Sequence, residues 1–339
     1  MKIRESPFLR DLDKTLAVAG IILSILLIIF LGREFGRAVY VLTGILALIS
    51  CLLWLAIRKS HTFEFHFTES RTQTLLCSIF FFGLFTLSIL AVYFRSELYE
   101  RPLLYFVLIA LMAGVIAWEI LASGRQHVAL VLFQIVLLGM NIAWSQLLIH
   151  PSLVGVDPWY HSALTNRIMD EGFIPGGYSY SKLPLFHLMV ASTSLLTSLP
   201  YKFATMLSVS VGQIAGNAIF IFLIANNLFK NHRIGLLAAL MVIIANHHIF
   251  MSYWSIPNGF GVAFIPIIVY LLLPGIGVKT HNNNNNNNLF STCIIIITLM
   301  ISIILTHSMA AMFMAILLLV AWGASFFYRI LYPSSRKFV

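Results

Sequence analysis

The sequence predicts an all-α, polytopic transmembrane helical bundle of about ten spans, with juxtamembrane helices on its outer face. Three observations carry that expectation. Only 10% of the residues are charged and 60% are hydrophobic, whereas a soluble domain has roughly 25% charged residues. Apolar runs of about 20 residues, the length that crosses a hydrocarbon core of about 30 Å, recur along nearly the whole chain. Basic residues gather in the short loops between these runs, the pattern that orients helices in a membrane. The net charge of +9 therefore reports membrane orientation and not nucleic-acid binding.

The first run starts after Lys2, Arg4, Arg10 and Lys14. No small-residue cleavage site follows it, so it reads as a retained helix rather than a removed signal peptide. Spans are expected at 15–32, 38–57, 74–94 and 103–122, which make up an N-terminal region, 1–127. A second region, 128–339, opens with a span at 128–149 and passes through a long polar loop, 150–202. It continues with spans near 203–229, 234–252, 260–278, 289–306 and 309–328. Cys51, Cys77 and Cys293 lie inside apolar runs without metal-ligand spacing and read as packing residues. The Asn282–Asn288 run is low-complexity and reads as a disordered tether. No inverted repeat is visible.

Within the long loop, 185–199 is an apolar stretch between Pro184 and Pro200. It is short for a span and suits a helix lying in the interface. Charge tests the choice. If the stretch crosses, with the N-terminus inside, 9 of the 21 Lys and Arg residues lie on the cytoplasmic side. If it lies flat on the outer face, Lys202 moves out while Lys230, Arg233, Lys279, Arg329, Arg336 and Lys337 move in. The cytoplasmic count then rises to 14 of 21, in accord with the positive-inside rule. Both termini are then cytoplasmic. The 150–202 loop, the 251–259 turn and the Thr306–Ser308 turn share the outer face, which brings His247, His248, Trp254, Asn258 and His307 to the side that carries Asp157.

No Asp or Glu lies after Glu171. Glu119 sits near the cytoplasmic end of a span, where it is expected to snorkel or hydrogen-bond. Only Asp157, Asp170 and Glu171 occupy the outer loop. The most distinctive string is Gly155-Val156-Asp157-Pro158-Trp159-Tyr160-His161. Asp followed by Pro is a helix start, the carboxylate capping free N–H groups and the proline losing no bond at the first helical position. The helix is expected to stop at Gly172. Tyr160, Leu164 and Ile168 recur every four residues, a stripe suited to the membrane interface. Asp157 and His161 are also four apart and share a face. Asp157 is either a helix cap alone or a general base taking a proton from an acceptor hydroxyl in a partly dry site.

Here the residues resemble a known family. The string Gly155 to His161 looks like the first outer-loop acidic motif of the GT-C superfamily of membrane glycosyltransferases. It is closest to the archaeal oligosaccharyltransferase version, an Asp-Pro-aromatic-Tyr-His run after a membrane helix. Tyr178-Ser179-Tyr180-Ser181-Lys182-Leu183-Pro184-Leu185 resembles the Tyr…Lys-Pro-Pro-Leu segment of lipid-linked aminoarabinose and mannosyl transferases, which opens a juxtamembrane helix there. Trp254-Ser255-Ile256-Pro257-Asn258 and Leu305-Thr306-His307-Ser308 look like outer-face turns of prokaryotic members. The resemblance covers roughly residues 130–328.

The resemblance implies transfer of a sugar from a polyprenyl-phosphate donor, with inversion, to a glycan, lipid or protein acceptor. In that reading Asp157 is the base. Lys182, with His187 or His307, stabilises the departing phosphate through charge-assisted hydrogen bonds. Tyr180 and Trp254 offer sugar-stacking surfaces, and His161 and Asn258 join the substrate site. Without a later carboxylate a two-acid metal site is hard to build, because Mg²⁺ and Mn²⁺ prefer oxygen ligands. Metal-independent transfer without a cofactor is therefore expected, and a divalent ion, if one binds, would rest on Asp157 and His161.

Each of these residues also has a plainer role open to it. Lys182 suits an interface anchor, and His247 and His248 suit the end of a span. Trp159, Tyr160 and Trp254 suit an aromatic belt, and Arg167 suits solvent or a pair with Asp170 or Glu171. The competing class is a flippase, transporter or scaffold. Apart from Glu119 the spans are nearly charge-free, which argues against ion coupling. A pocket holding Asp157 beside His307 would favour an enzyme, and a continuous polar path through the bundle would favour transport.

Overall fold

The computed structural model describes residues 12–35, 38–60, 69–254, 256–273 and 288–331, and every regular element among them is a helix. Lys2, Arg4, Arg10, Ser255, Lys279, Arg336, Lys337 and the asparagine tract up to residue 287 lie outside the described residues; Asn288 opens a helix. The chain divides into two compact units, Met1–His66 and Phe67–Val339.

In the first unit, α1 (Leu12–Phe35) packs against α2 (Ala38–Ser60). Two glycines let the helices approach. A Cβ on Gly20 would stand 2.7 Å from Cys51 Sγ, and one on Gly44 would stand 2.5 Å from Ile28 Cγ1. Cys51 is thus a packing residue, as its apolar setting suggests.

The second unit holds α3 (Arg71–Tyr93), α4 (Leu103–Ala122), α5 (Val128–Leu148), α6 (Asp157–Glu171), α7 (Leu185–Thr197) and α8 (Tyr201–Phe229). Next come α9 (His232–Ile243), α10 (Asn246–Tyr253), α11 (Pro257–Leu272), α12 (Asn288–Thr306) and α13 (Ser308–Leu331). Among the described residues four helices are long and apolar enough to cross a membrane: α3, α4, α5 with the short turn before it, and α8. The expected run 234–252 is not one straight helix. It bends by 60° between α9 and α10, where the apolar run meets Asn246, His247 and His248, side chains that compete for backbone hydrogen bonds. Counted as one span, the pair is a fifth. This is a membrane protein by its exposed surface as well. Phe80, Leu103, Trp118 and Phe133 are more than half exposed, a belt that lipid covers favourably and water does not.

The core lies where α3, α4, α5, α8 and α9 meet, around the fully buried Phe81, Met112, Ile135, Leu138, Ile214 and Leu240. Gly139 lets α5 sit close to two neighbours, since a Cβ there would be 2.8 Å from both Ile214 and Ile243. A polar triad is set in this core. Glu119 is fully buried, and its Oε1 accepts from Ser78 Oγ at 2.8 Å and from Gln134 Nε2 at 3.4 Å. It does not snorkel; it ties three helices together where an unpaired polar group is costly. Glu119→Ala leaves the Ser78 hydroxyl without its acceptor, while Gln134 Nε2 keeps Ser78 Oγ at 3.0 Å, and is expected to cost about 1–3 kcal/mol. Glu119→Gln keeps an acceptor oxygen and should recover most of that loss. Thermal unfolding in detergent checks this, and an unchanged midpoint in Glu119→Ala would show that the triad contributes nothing.

Chain junctions gather at the two ends of this unit. At one end Ser70 donates its N–H to the Ala122 carbonyl at 3.1 Å, Arg233 Nη2 lies 3.9 Å from Glu69 Oε1, and His232 Nε2 lies 3.5 Å from the Ser123 carbonyl. At the other end, Lys202 Nζ donates to the His150 carbonyl at 2.5 Å. The chain therefore leaves α5 and enters α8 at the same end, and everything between returns to its starting level. With 13 residues, α7 is about 20 Å long, short of a hydrocarbon core of about 30 Å. Its apolar face packs instead on the start of α8 and on α11, through Phe186, Val190, Tyr201, Ala204 and Phe260.

Candidate functional site

The loop after α5 turns at Gly155, whose φ of +90° favours glycine. A Cβ there would also stand 2.2 Å from Trp254 Nε1, so this loop and the end of α10 meet only because residue 155 has no side chain. Gly155→Ala is expected to destabilise by about 1–3 kcal/mol. Adding Trp254→Ala should relieve the steric part and leave the backbone strain, so a double-mutant cycle of thermal midpoints should show coupling. Strict additivity would mean that the two residues do not meet.

Two expectations for α6 need correction. Its cap position is Val156, whose carbonyl accepts from Trp159 N at 3.1 Å, and no side chain caps the helix. Asp157 is instead the first helical residue, followed by Pro158, and its exposed carboxylate is not used to hold the helix. Nor do Tyr160, Leu164 and Ile168 form a membrane-facing stripe. Leu164 and Ile168 are buried against Ala191 of α7, because the two short helices cover each other's apolar faces. Only Tyr160 stays exposed. The other end is as expected: Gly172, at φ +73°, closes α6 with its N–H on the Ile168 carbonyl at 3.0 Å. Arg167 pairs with Glu171 and the Tyr178 hydroxyl, which ties the following turn back onto α6.

Next to Asp157 a cluster of rings assembles from separate parts of the chain. His161, four residues along α6, and His187, on the first turn of α7, are both buried, with Nδ1 of the first 3.0 Å from Nε2 of the second. The half-buried ring of Tyr180 lies 4.8 Å from His161, 5.4 Å from His187 and 6.1 Å from His307, centroid to centroid. His307 stands in the junction between α12 and α13. Gly261 on α11 admits that junction, since a Cβ there would stand 2.8 Å from Ala310 Cβ.

Electrostatics and hydrogen bonding fix the state of these groups. Burial, aided by the neighbouring His187 and His307, pushes the His161 pKa down to about 3. Burial brings His187 to about 4 and lowers His307 as well. Burial raises the Tyr180 hydroxyl, with further contributions from Tyr160 and Asp157, so Asp157 acts on the cluster through its charge. These shifts favour the neutral imidazoles at pH 7, so in a charge-assisted bond to phosphate the charge would lie on the acceptor.

The tautomers follow from the network. His187 Nδ1 is buried without a partner, and an orphaned acceptor costs less than an orphaned N–H. His187 therefore donates from Nε2 to His161 Nδ1, leaving His161 with its proton on Nε2. His307 Nδ1 accepts from Met309 N at 3.2 Å, so His307 also carries its proton on Nε2. Two Nε2–H groups and a phenol O–H are thus collected one helical turn along from the Asp157 carboxylate, whose charge reaches Tyr180.

The remaining expected residues are placed differently. Lys182 is exposed and takes no part in the ring contacts. Trp254 packs on Gly155 and on Phe250, with ring centroids 4.4 Å apart. Asn258 lies in the first turn of α11 with Oδ1 buried and unpartnered. His247 and His248 open α10 and make none of the cluster's contacts. Among the described residues no group of three His, Cys, Asp or Glu side chains is arranged to hold a metal ion, and Nδ1 of His161 is already taken by His187. The pairing of the two histidines was not legible from sequence, where 26 residues separate them. No protein-family model matches the chain, and neither does any curated protein or solved structure.

Proposed function

We propose that this chain is an integral membrane glycosyltransferase of about ten spans with both termini cytoplasmic. It moves a sugar from a polyprenyl-phosphate donor to an acceptor hydroxyl on the extracytoplasmic face. The observation that carries this reading is the convergence of Asp157, His161, Tyr180, His187 and His307, from four separate segments, outside the helices long enough to span.

In the reaction, the Asp157 carboxylate takes the proton of the acceptor hydroxyl as its oxygen attacks the anomeric carbon. The bond from that carbon to the phosphate oxygen breaks, the phosphate leaves with the electron pair, and the anomeric centre inverts. The neutral donors at Tyr180, His161 and His307 hydrogen-bond the phosphate oxygens. Neutral donors suit a site beside lipid, where an unpaired buried cation is costly between turnovers. Lys182, on the exposed part of the loop, adds longer-range attraction for the phosphate.

Among the described residues, the polar side chains that α3, α4 and α5 bury between them support an enzyme over a transport path. They form two separate clusters. One is the Glu119–Ser78–Gln134 triad; the other joins Ser88, Asn141, Tyr105, Ser145 and Arg101. Gln134 and Asn141 are two turns apart on α5, about 10 Å. Phe81, Met112 and Leu138, each fully buried, occupy the level between them.

The test is sugar transfer from a panel of labelled polyprenyl-phosphate donors in membranes expressing the full chain or its Asp157→Asn variant, with and without chelator. Transfer by the wild type alone, insensitive to chelator, is the expected result. Absence of transfer by both proteins across the panel would overturn the enzyme reading, and loss on chelation would replace the metal-independent mechanism.

A further inference from the structure

A second feature lies away from the ring cluster, in a groove of about 400 Å³ between α3 and α5. Its walls are apolar, formed by Phe85, Ile89 and Val92 on one helix and Leu137, Met140 and Leu148 on the other. From Leu137 to Leu148 the helix rises about 16 Å, roughly half of a hydrocarbon core of about 30 Å. The groove is therefore one leaflet deep. Such a length fits one acyl chain and not the much longer chain of a polyprenyl lipid.

The polar end of the groove is cationic. Arg95 lines it just past the end of α3. One of its nitrogens, Nη1, donates to the Val92 carbonyl at 3.0 Å, while Nε is buried without a hydrogen-bond partner. Behind it Arg101 Nη1 donates to Ser145 Oγ at 3.3 Å, and Ser145 also lines the groove. Neither arginine makes an ion pair with a carboxylate among the described residues. A guanidinium with a free N–H at the head of an apolar groove matches a phosphate on a hydrocarbon chain.

We infer that this groove is a binding site for an anionic glycerophospholipid of the surrounding leaflet. One acyl chain lies between α3 and α5, and the phosphate rests on Arg95 with Arg101 behind it. The test is native mass spectrometry of the purified full chain with equimolar phosphatidylglycerol and phosphatidylcholine of identical chains, and separately with a polyprenyl phosphate. Phosphatidylglycerol should be retained in preference, and Arg95→Gln should reduce that preference about tenfold, the loss of one charged hydrogen-bonding contact. Arg167→Gln, at an exposed arginine elsewhere, should leave it unchanged. Ile89→Trp, which fills the groove from a half-exposed position without touching the arginines, should abolish retention of either lipid, so the proposal does not depend on one variant folding. Equal retention of the two phospholipids, an unaltered preference in Arg95→Gln, stronger retention of the polyprenyl phosphate, or no effect of Ile89→Trp would each overturn it.

Discussion

Asp157→Asn is expected to reduce sugar transfer by about 10²–10⁴-fold, the range for loss of a general base, with membrane insertion and thermal midpoint kept at wild-type values. The separation of these two readouts follows from the geometry. A carboxylate that capped α6 would take helix stability with it when replaced by alanine, typically about 1 kcal/mol, whereas asparagine caps about as well as aspartate. Here the cap position is Val156, no side chain caps the helix, and Asp157 is exposed. The amide of asparagine has nearly the same size and can still hydrogen-bond, so what the substitution removes is basicity. Asp157→Glu, which keeps the carboxylate and displaces it by one methylene, should retain part of the activity. Full transfer by Asp157→Asn would remove it as the base. A large fall in the thermal midpoint would instead make its role structural.

Acidification should weaken the fold around the histidine pair steeply. In the unfolded chain a histidine takes up its proton near pH 6.5. In the folded protein His187 resists protonation down to about 4 and His161 down to about 3. The unfolded state therefore binds more protons throughout this window. Stability is full above about pH 6.5 and declines as the pH falls from there toward 4, with His161 extending the loss toward 3. With two protons of difference the slope is on the order of 2–3 kcal/mol per pH unit. Thermal midpoints between pH 7.5 and 4.5 would report it. His187→Gln places an amide nitrogen where Nε2 stood and cannot titrate, so it should flatten the profile relative to wild type. Equal slopes for the two proteins would mean that the pair is not buried and neutral as described.

The sequence made some of this site legible and left other parts hidden, for identifiable reasons. Asp157 and Pro158 marked the start of α6 and Gly172 its end, because helix termini are set by local backbone chemistry. The stripe of Leu164 and Ile168 was legible as apolar but not as to what covers it. Lipid and the face of another helix look alike in a periodicity, and α7 turned out to be the cover. Glu119 was visible as the lone acid of the spans, while its partners Ser78 and Gln134 are ordinary polar residues until three helices bring them together.

What the sequence determined by itself is the class of molecule. The scarcity of charge, the length of the apolar runs and the terminators of the short helices depend on composition and local spacing, and all of them point to helices in a membrane. Tertiary structure alone decided the state of the site. That His161 meets His187, that Tyr180 and His307 join them, and that all three imidazoles are neutral depend on burial and on contacts across up to 146 residues of chain, from His161 to His307. The physical reason is that a pKa and a tautomer belong to an environment. The environment here is made by Gly261, which admits the junction at His307, and by the apolar cover of Leu164 and Ile168 of α6 against Ala191 of α7, residues that carry no titratable group themselves.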